Sequence, residues 1–200
     1  TMTRELASIG LRTVYILDPG LKIADDYQPY ATGVEHDHFV KMPDGTMFFG
    51  EVWPGTCGFP DFTNNDVRAW WGQLCADFAE HTGAAGLWTD MNEPAVFDGP
   101  EHTIPLEARH NADPELGGQG DHARYHNIYG MQMARATQEG LAARRQDLRP
   151  FVLSRSNYLG GQRHAACWTG DSASTWDHLS WTVPMMVNLG LSGQPFAGCD

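Results

Sequence analysis

Basic residues are scarce in this chain: 13 Lys and Arg stand against 25 Asp and Glu, a formal net charge of −12. So acidic a surface argues against nucleic acid or an anionic membrane as partner and suits a neutral ligand. Cysteine is also scarce. Cys57, Cys75, Cys167 and Cys199 show no CxxC spacing and sit in apolar or strand-like contexts. They read as buried free thiols of a reducing compartment, so a cytoplasmic setting is expected. No apolar run approaches the ~20 residues that span a bilayer. There is no repeat, no low-complexity segment and no signal peptide. The opening "TMTRELASIG" nevertheless reads as the tail of a helix, and the closing "FAGCD" as a strand-end motif. Both ends read as cut.

What is present is a globular composition, 42% hydrophobic and 19% charged, with seven Trp. Flat aromatic faces can stack on sugar rings, although most of them are expected to fill core. Apolar β-rich runs alternate with helical patterns. "TVYILD" (13–18) reads as a strand, and a long irregular stretch follows it. A hairpin is expected from "FVKM", the turn "PDG" and "TMFFGEVW". Val67, Trp70, Trp71, Leu74, Cys75 and Phe78 recur at helical period and predict a helix from Asn64 to His81, capped by Thr63 or Asn64 and stopped by Gly83. "GLWTDM" is the next strand, and residues 92–120 form a polar loop too long for a plain connector. A second helix is expected from about Asp121 to Arg145, with Tyr125, Ile128, Tyr129, Met133 and Ala136 on one face. Then come strand (150–156), strand (165–171), helix (around 175–189) and strand (195–200). Alternation of this kind implies a parallel sheet buried on both faces.

Asp18, Asp90, Arg155, Asp171 and Asp200 each close a strand. In parallel α/β architectures the C-terminal strand ends face the ligand, and in a (β/α)8 barrel they converge on one mouth. A doubly wound open sheet is the alternative. Against it, no G-x-G-x-x-G follows the first strand, and the long loops follow strands rather than helices.

Asp90 and Asp171 are the pair suited to acid/base and nucleophilic work. Cleaving a glycosidic bond takes one carboxylate at the anomeric carbon and a second carboxyl to protonate the leaving oxygen, about 5–5.5 Å apart in retaining enzymes. Amide and backbone donors after Asp90 (Asn92) are expected to hold it ionised. The apolar and small neighbours of Asp171 (Trp168, Thr169, Gly170) are expected to raise its pKa.

The motif "GLWTDMNEPAVF" resembles the W-x-D-M-N-E signature of glycoside hydrolase family 31, the α-glucosidases and their relatives. "ILDPG", "VWPGTCGFPDFTN" with "WW", "LSRSNYLGGQRHAACWTGD" and "GLSGQPFAGCD" resemble successive segments of the same family, in order. The resemblance implies an internal piece of one catalytic (β/α)8 barrel, about strands three to seven, without the first two strands, the last, and the flanking β-domains. It implies Asp90 as nucleophile and Asp171 as general acid/base. It places Asp18, Trp53, Trp88, Met91, Arg155 and Trp168 at the sugar, and gives Glu93 a supporting role. One departure is Ser172, where the family has Asn after the acid/base. The expected activity is retaining hydrolysis of terminal α-glucosidic bonds in oligosaccharides, with no cofactor and no metal.

Other readings stand beside it: an α-transglucosylase, another α-glycosidase such as an α-xylosidase, or a non-catalytic sugar-binding relative. A metal site from Glu35, His36, Asp37 and His38, or from His102, Glu107 and His110, lacks helical H-x-x-x-H spacing. A serine hydrolase built on Ser154, Ser156 or Ser172 lacks the G-x-S-x-G elbow.

Overall fold

The computed structural model describes residues 2–144 and 148–200. Its frame is a five-stranded parallel sheet of β1 (Val14–Leu17), β5 (Gly86–Thr89), β8 (Phe151–Ser154), β9 (Ala166–Trp168) and β10 (Ala197–Gly198), neighbours in that order. Strand order follows chain order without reversal. A doubly wound sheet must reverse at its switch point, so the arrangement is that of part of a (β/α)8 barrel.

The helices follow their local signals. α3 (Asn65–Thr82) starts where the Asn64 side chain accepts from the N–H groups of Asp66 and Val67, and stops where Gly83 takes φ 77°. Its apolar stripe buries Val67, Trp71 and Cys75. α4 (His122–Arg144) buries Tyr125, Tyr129, Met133 and Ala136, the face read from the sequence apart from the half-buried Ile128. The expected end of that helix at Arg145 lies outside the described residues. The two helices touch backbone to backbone at Gly72 and Gly140, where a Cβ on Gly140 would stand 2.1 Å from the Gly72 carbonyl oxygen.

Around Phe62 the core is tiled by edge-on rings, with Trp71 and Tyr129 each 5.2 Å from it. α1 (Met2–Ser8) precedes the sheet, and α5 (Trp176–Leu191) joins β9 to β10. No residue of α5 is buried, and Trp176, Trp181 and Leu191 stand far into solvent.

The hairpin expected around "PDG" forms: the Gly45 N–H donates to the Met42 carbonyl, the Met42 N–H to the Thr46 carbonyl and the Phe48 N–H to the Val40 carbonyl, with Lys41 opposite Met47. Beyond it, β3 (Phe49–Val52) pairs with β4 (Gly55–Gly58), and β4 also pairs with β2 (Leu21–Lys22). Two expectations need correction. The stretch read as irregular contains α2 (Gln28–Glu35), begun by Pro29 in its first turn and anchored through buried Tyr30 and Gly33. Finally, β1 lies at one edge of the sheet, half exposed along its length, rather than buried on both faces.

The long loop after β5 is held by buried polar contacts. It contributes β6 (Arg109–His110), which pairs with β7 (Gly120–Asp121). His110 meets Asp61 at 2.6 Å and His122 at 2.9 Å, and His122 meets His126 at 3.1 Å. Burial and the adjoining imidazoles push His122 down to about 3. Arg68, almost fully buried on α3, reaches Asp113 at 2.7 Å and the Phe62 carbonyl at 3.0 Å. These contacts pair side chains that would be costly to bury alone, the Arg68 Nε excepted, which has no partner among the described residues.

Candidate active site

Register sets the site. Leu17 pairs with Thr89, Thr89 with Ser154, and Ser154 with Cys167, so the next row along the sheet is Asp18, Asp90, Arg155 and Trp168. The ladder continues into that row, the Asp90 N–H donating to the Leu17 carbonyl and the Arg155 N–H to the Thr89 carbonyl. Asp171 does not end a strand. It follows β9 on a turn three residues beyond Trp168.

Asp90 is nearly buried, with 9% of its surface exposed. Its Oδ1 accepts from the Met91 N–H at 2.8 Å and lies 3.1 Å from the Arg155 Nε. Met91 takes φ 53°, a left-handed conformation that turns the chain under the carboxylate. Arg155 is held in turn by Glu93, Nε on Oε1 at 2.7 Å and Nη2 on Oε2 at 3.0 Å, a fork matched to a carboxylate. The same Nη2 lies 3.0 Å from the Met91 sulfur. The support expected of Glu93 is therefore an ion pair that aims Arg155.

Burial pushes the Asp90 carboxyl above its ordinary value, opposed by the Met91 N–H and the Arg155 charge. Asp18 is raised as well, by burial first and then by the Asp90 charge. The backbone donor expected after Asp90 is present in the Met91 N–H, but burial outweighs it. The expected amide donor is absent, because the Asn92 side chain bonds elsewhere. It is fully buried, its amide donating to Ser154 Oγ at 3.0 Å and to the Gly130 carbonyl at 3.3 Å, while its oxygen accepts the Ser156 N–H at 3.2 Å. Asn92 thus ties the β5 tip to α4 and to the β8 tip. The apolar surroundings expected for Asp171 are not found either, because that carboxyl is exposed to solvent. Its charge is nonetheless felt at both Asp90 and Arg155.

The aromatic residues frame this row. Trp88 and Trp168 meet edge to face, 4.8 Å apart at 85°. Nothing among the described residues accepts from the Trp88 indole N–H. Trp53, 73% exposed, meets Phe97 edge to face at 4.8 Å, an aromatic pair the sequence reading missed because the two lie on separate loops. A cavity of about 510 Å³ is lined by Asp18, Trp53 and Asp90 together. A larger one, of about 620 Å³, takes in His36, His38, Asp61 and His110 but none of the strand-tip residues. Among the described residues no group of three or more His, Cys, Asp or Glu is arranged to hold a metal ion. Ser154, offered as a hydrolase nucleophile, is fully buried and donates to the Ser156 carbonyl.

The profile of the glycosyl hydrolases family 31 TIM-barrel domain matches residues 1–200. Alpha-glucosidase 2 of Bacillus thermoamyloliquefaciens is 45% identical over 196 residues, 98% of this chain and 24% of that protein. Neutral alpha-glucosidase AB of Homo sapiens is 41% identical over 204 residues, covering all of this chain and 21% of the relative. A glucosidase II alpha subunit crystallised with Glc1Man2 superimposes with a TM-score of 0.90 at 36% identity, again over all of this chain and 21% of its own. The chain therefore spans about a fifth to a quarter of the length of these relatives.

Proposed function

Because the chain belongs to the glycosyl hydrolases of family 31, as part of their TIM-barrel domain, we propose that it carries the two reacting carboxyls of a retaining α-glucosidase. Asp90 attacks the anomeric carbon while Asp171 gives its proton to the leaving oxygen. A glycosyl ester on Asp90 forms as the glycosidic bond breaks. Asp171, now a carboxylate, then takes a proton from water, which displaces Asp90 and releases the sugar in its starting α-configuration.

The observation that carries the reading is Asp90 itself. It is a nearly buried carboxylate at a strand tip, fixed on one oxygen by a backbone N–H and by an arginine that a second carboxylate aims. A nucleophile needs this kind of orientation, because misplacement by about 1 Å can cost ~10²-fold. The exposed position of Asp171 supports the other role, since an acid that later activates water must meet solvent. Asp18, Trp53, Trp88, Met91, Arg155 and Trp168 are the proposed sugar contacts, with terminal α-glucosides of oligosaccharides as substrate class. The relatives named α-glucosidases favour glucose over other sugars.

The test is the anomer released first by the intact protein that carries this chain, followed by proton NMR on an aryl α-glucoside. Release of α-glucose is expected. First release of the β-anomer, or no turnover of any α-glucoside, refutes the reading.

A further inference from the structure

Asp171 has no hydrogen-bond or ion-pair partner of its own among the described residues, although a general acid must present its proton within hydrogen-bond reach of one oxygen. Its position must come from its flanks. Asp200 meets both of them. Oδ1 of Asp200 accepts from the Trp168 indole Nε1 at 2.8 Å, and Oδ2 accepts from the Ser172 backbone N–H at 3.2 Å. The two donors lie three residues before Asp171 and one after it.

Pairing of β9 with β10 holds the acceptor in place. Gly198 pairs with Trp168, and the Thr169 N–H donates to the Gly198 carbonyl at 3.1 Å, so Asp200 leaves the sheet beside the turn that carries Asp171. Gly170 sits in that turn at φ 88°, a conformation a side chain would strain, and it lets the chain bend so that both donors face one carboxylate. The turn also lies against the Arg155 side chain, since a Cβ at Gly170 would come 3.8 Å from the Arg155 Cδ. A carboxylate suits the place because both of its oxygens accept, whereas an indole N–H and a backbone N–H can only donate. The contact at residue 172 is made by main chain, so it survives the departure to Ser172.

We propose that Asp200 is a positioning residue: its carboxylate clamps Trp168 and Ser172 and thereby sets where the Asp171 carboxyl points. The proposal rests on the reading of Asp171 as acid/base. A clamp of this kind matters where the proton counts and little where it does not. Asparagine at 200 keeps the size but turns an amide NH2 toward one of the two donors.

The experiment compares kcat/KM on two substrates, an aryl α-glucoside with an acidic phenol and a disaccharide, using the intact protein and its Asp171→Ala and Asp200→Asn variants. Asp171→Ala is expected to lose ~10²–10⁴-fold on the disaccharide and far less on the aryl glucoside. Asp200→Asn is expected to show the same split on a smaller scale, about tenfold or more between the substrates, with little change in melting temperature. Should Asp200→Asn fail to fold, Asp200→Glu, which keeps both acceptors one methylene farther out, is put through the same comparison and should show a split of the same sense. A split for Asp171→Ala without one at position 200, or equal losses on both substrates at position 200, overturns the clamp alone. No split even for Asp171→Ala removes the acid/base reading and the clamp with it.

Discussion

Replacing Asn92 by Asp changes one atom type and nearly no volume, yet the surroundings allow only an amide. The NH2 group faces Ser154 Oγ at 3.0 Å, the Gly130 carbonyl at 3.3 Å and Thr89 Oγ1 at 3.4 Å. Both hydroxyls are already spent as donors, Ser154 on the Ser156 carbonyl and Thr89 on the Leu153 carbonyl, so all three neighbours can only accept. A carboxylate oxygen there would lose its hydrogen bonds and stand buried against three acceptors, none of the groups that the amide bonds being a cation. Breaking a buried charge arrangement costs about 3–5 kcal/mol. The relatives are several times longer than this chain, so in the intact protein each kcal/mol shifts Tm by less than the ~2–4 °C of a 150–250-residue unit, and a fall of a few degrees is expected.

The pH dependence has a definite sign. The buried carboxyl at position 92 would hold its proton more firmly in the folded state than in the unfolded one. Stability is then lost as pH rises through the folded pKa, and the variant should melt closer to the parent at pH 5 than at pH 8. Thermal melts of the intact protein at the two pH values, with turnover measured alongside, are the assay. A variant that melts together with the parent at pH 8, or one more impaired at pH 5, would refute the role given to Asn92.

Three other outcomes follow from the same geometry. The Glu93 charge raises the Asp90 carboxyl and the Arg155 charge lowers it, so Glu93→Gln should move the acid limb of the kcat/KM profile to lower pH and Arg155→Gln to higher pH; shifts of the same sense in both would contradict this. Burial raises Asp90, so its folded-state charge costs stability that is regained as pH falls. Asp90→Asn should therefore melt above the parent at neutral pH, with the gap closing toward the acid range, and a lower Tm at neutral pH counts against that burial. Gly140→Ala gains about 1 kcal/mol of helix propensity but drives a Cβ to 2.1 Å from the Gly72 carbonyl, so it should lower Tm, whereas Gly190→Ala, with nothing within 4 Å, should raise it slightly.

Signals that act over a few residues were legible in the sequence. The α3 stripe, its Asn64 cap and its Gly83 stop are all local, and the helix starts and stops within one residue of where they put it. Three tips of the row, Asp18, Asp90 and Arg155, were legible because each is polar after an apolar run, whereas the fourth place falls to Trp168, with Asp171 three residues beyond it. What failed depends on distant partners. Asn92 lies two residues from Asp90, which suggests a local bond, whereas its bonds run to residues 38, 62 and 64 positions on. The apolar neighbours of Asp171 suggested burial, but whether a turn faces core or solvent is decided by the elements that pack on it. Burial falls on Asp90 instead, between the Met91 N–H and the Arg155 guanidinium. The Arg155–Glu93 fork and the Asp200 clamp likewise join segments that no local pattern connects.

Trapping the glycosyl ester shows whether Asp90 is the nucleophile. The intact protein, treated with a mechanism-based fluoroglycoside whose deglycosylation is slow, is digested and the labelled peptide sequenced by mass spectrometry. One label is expected, on Asp90 within "WTDMNEP", lost in Asp90→Asn and retained in Asp171→Ala when the label carries a good leaving group. A label on any other carboxylate, Asp171 and Asp18 included, would contradict it.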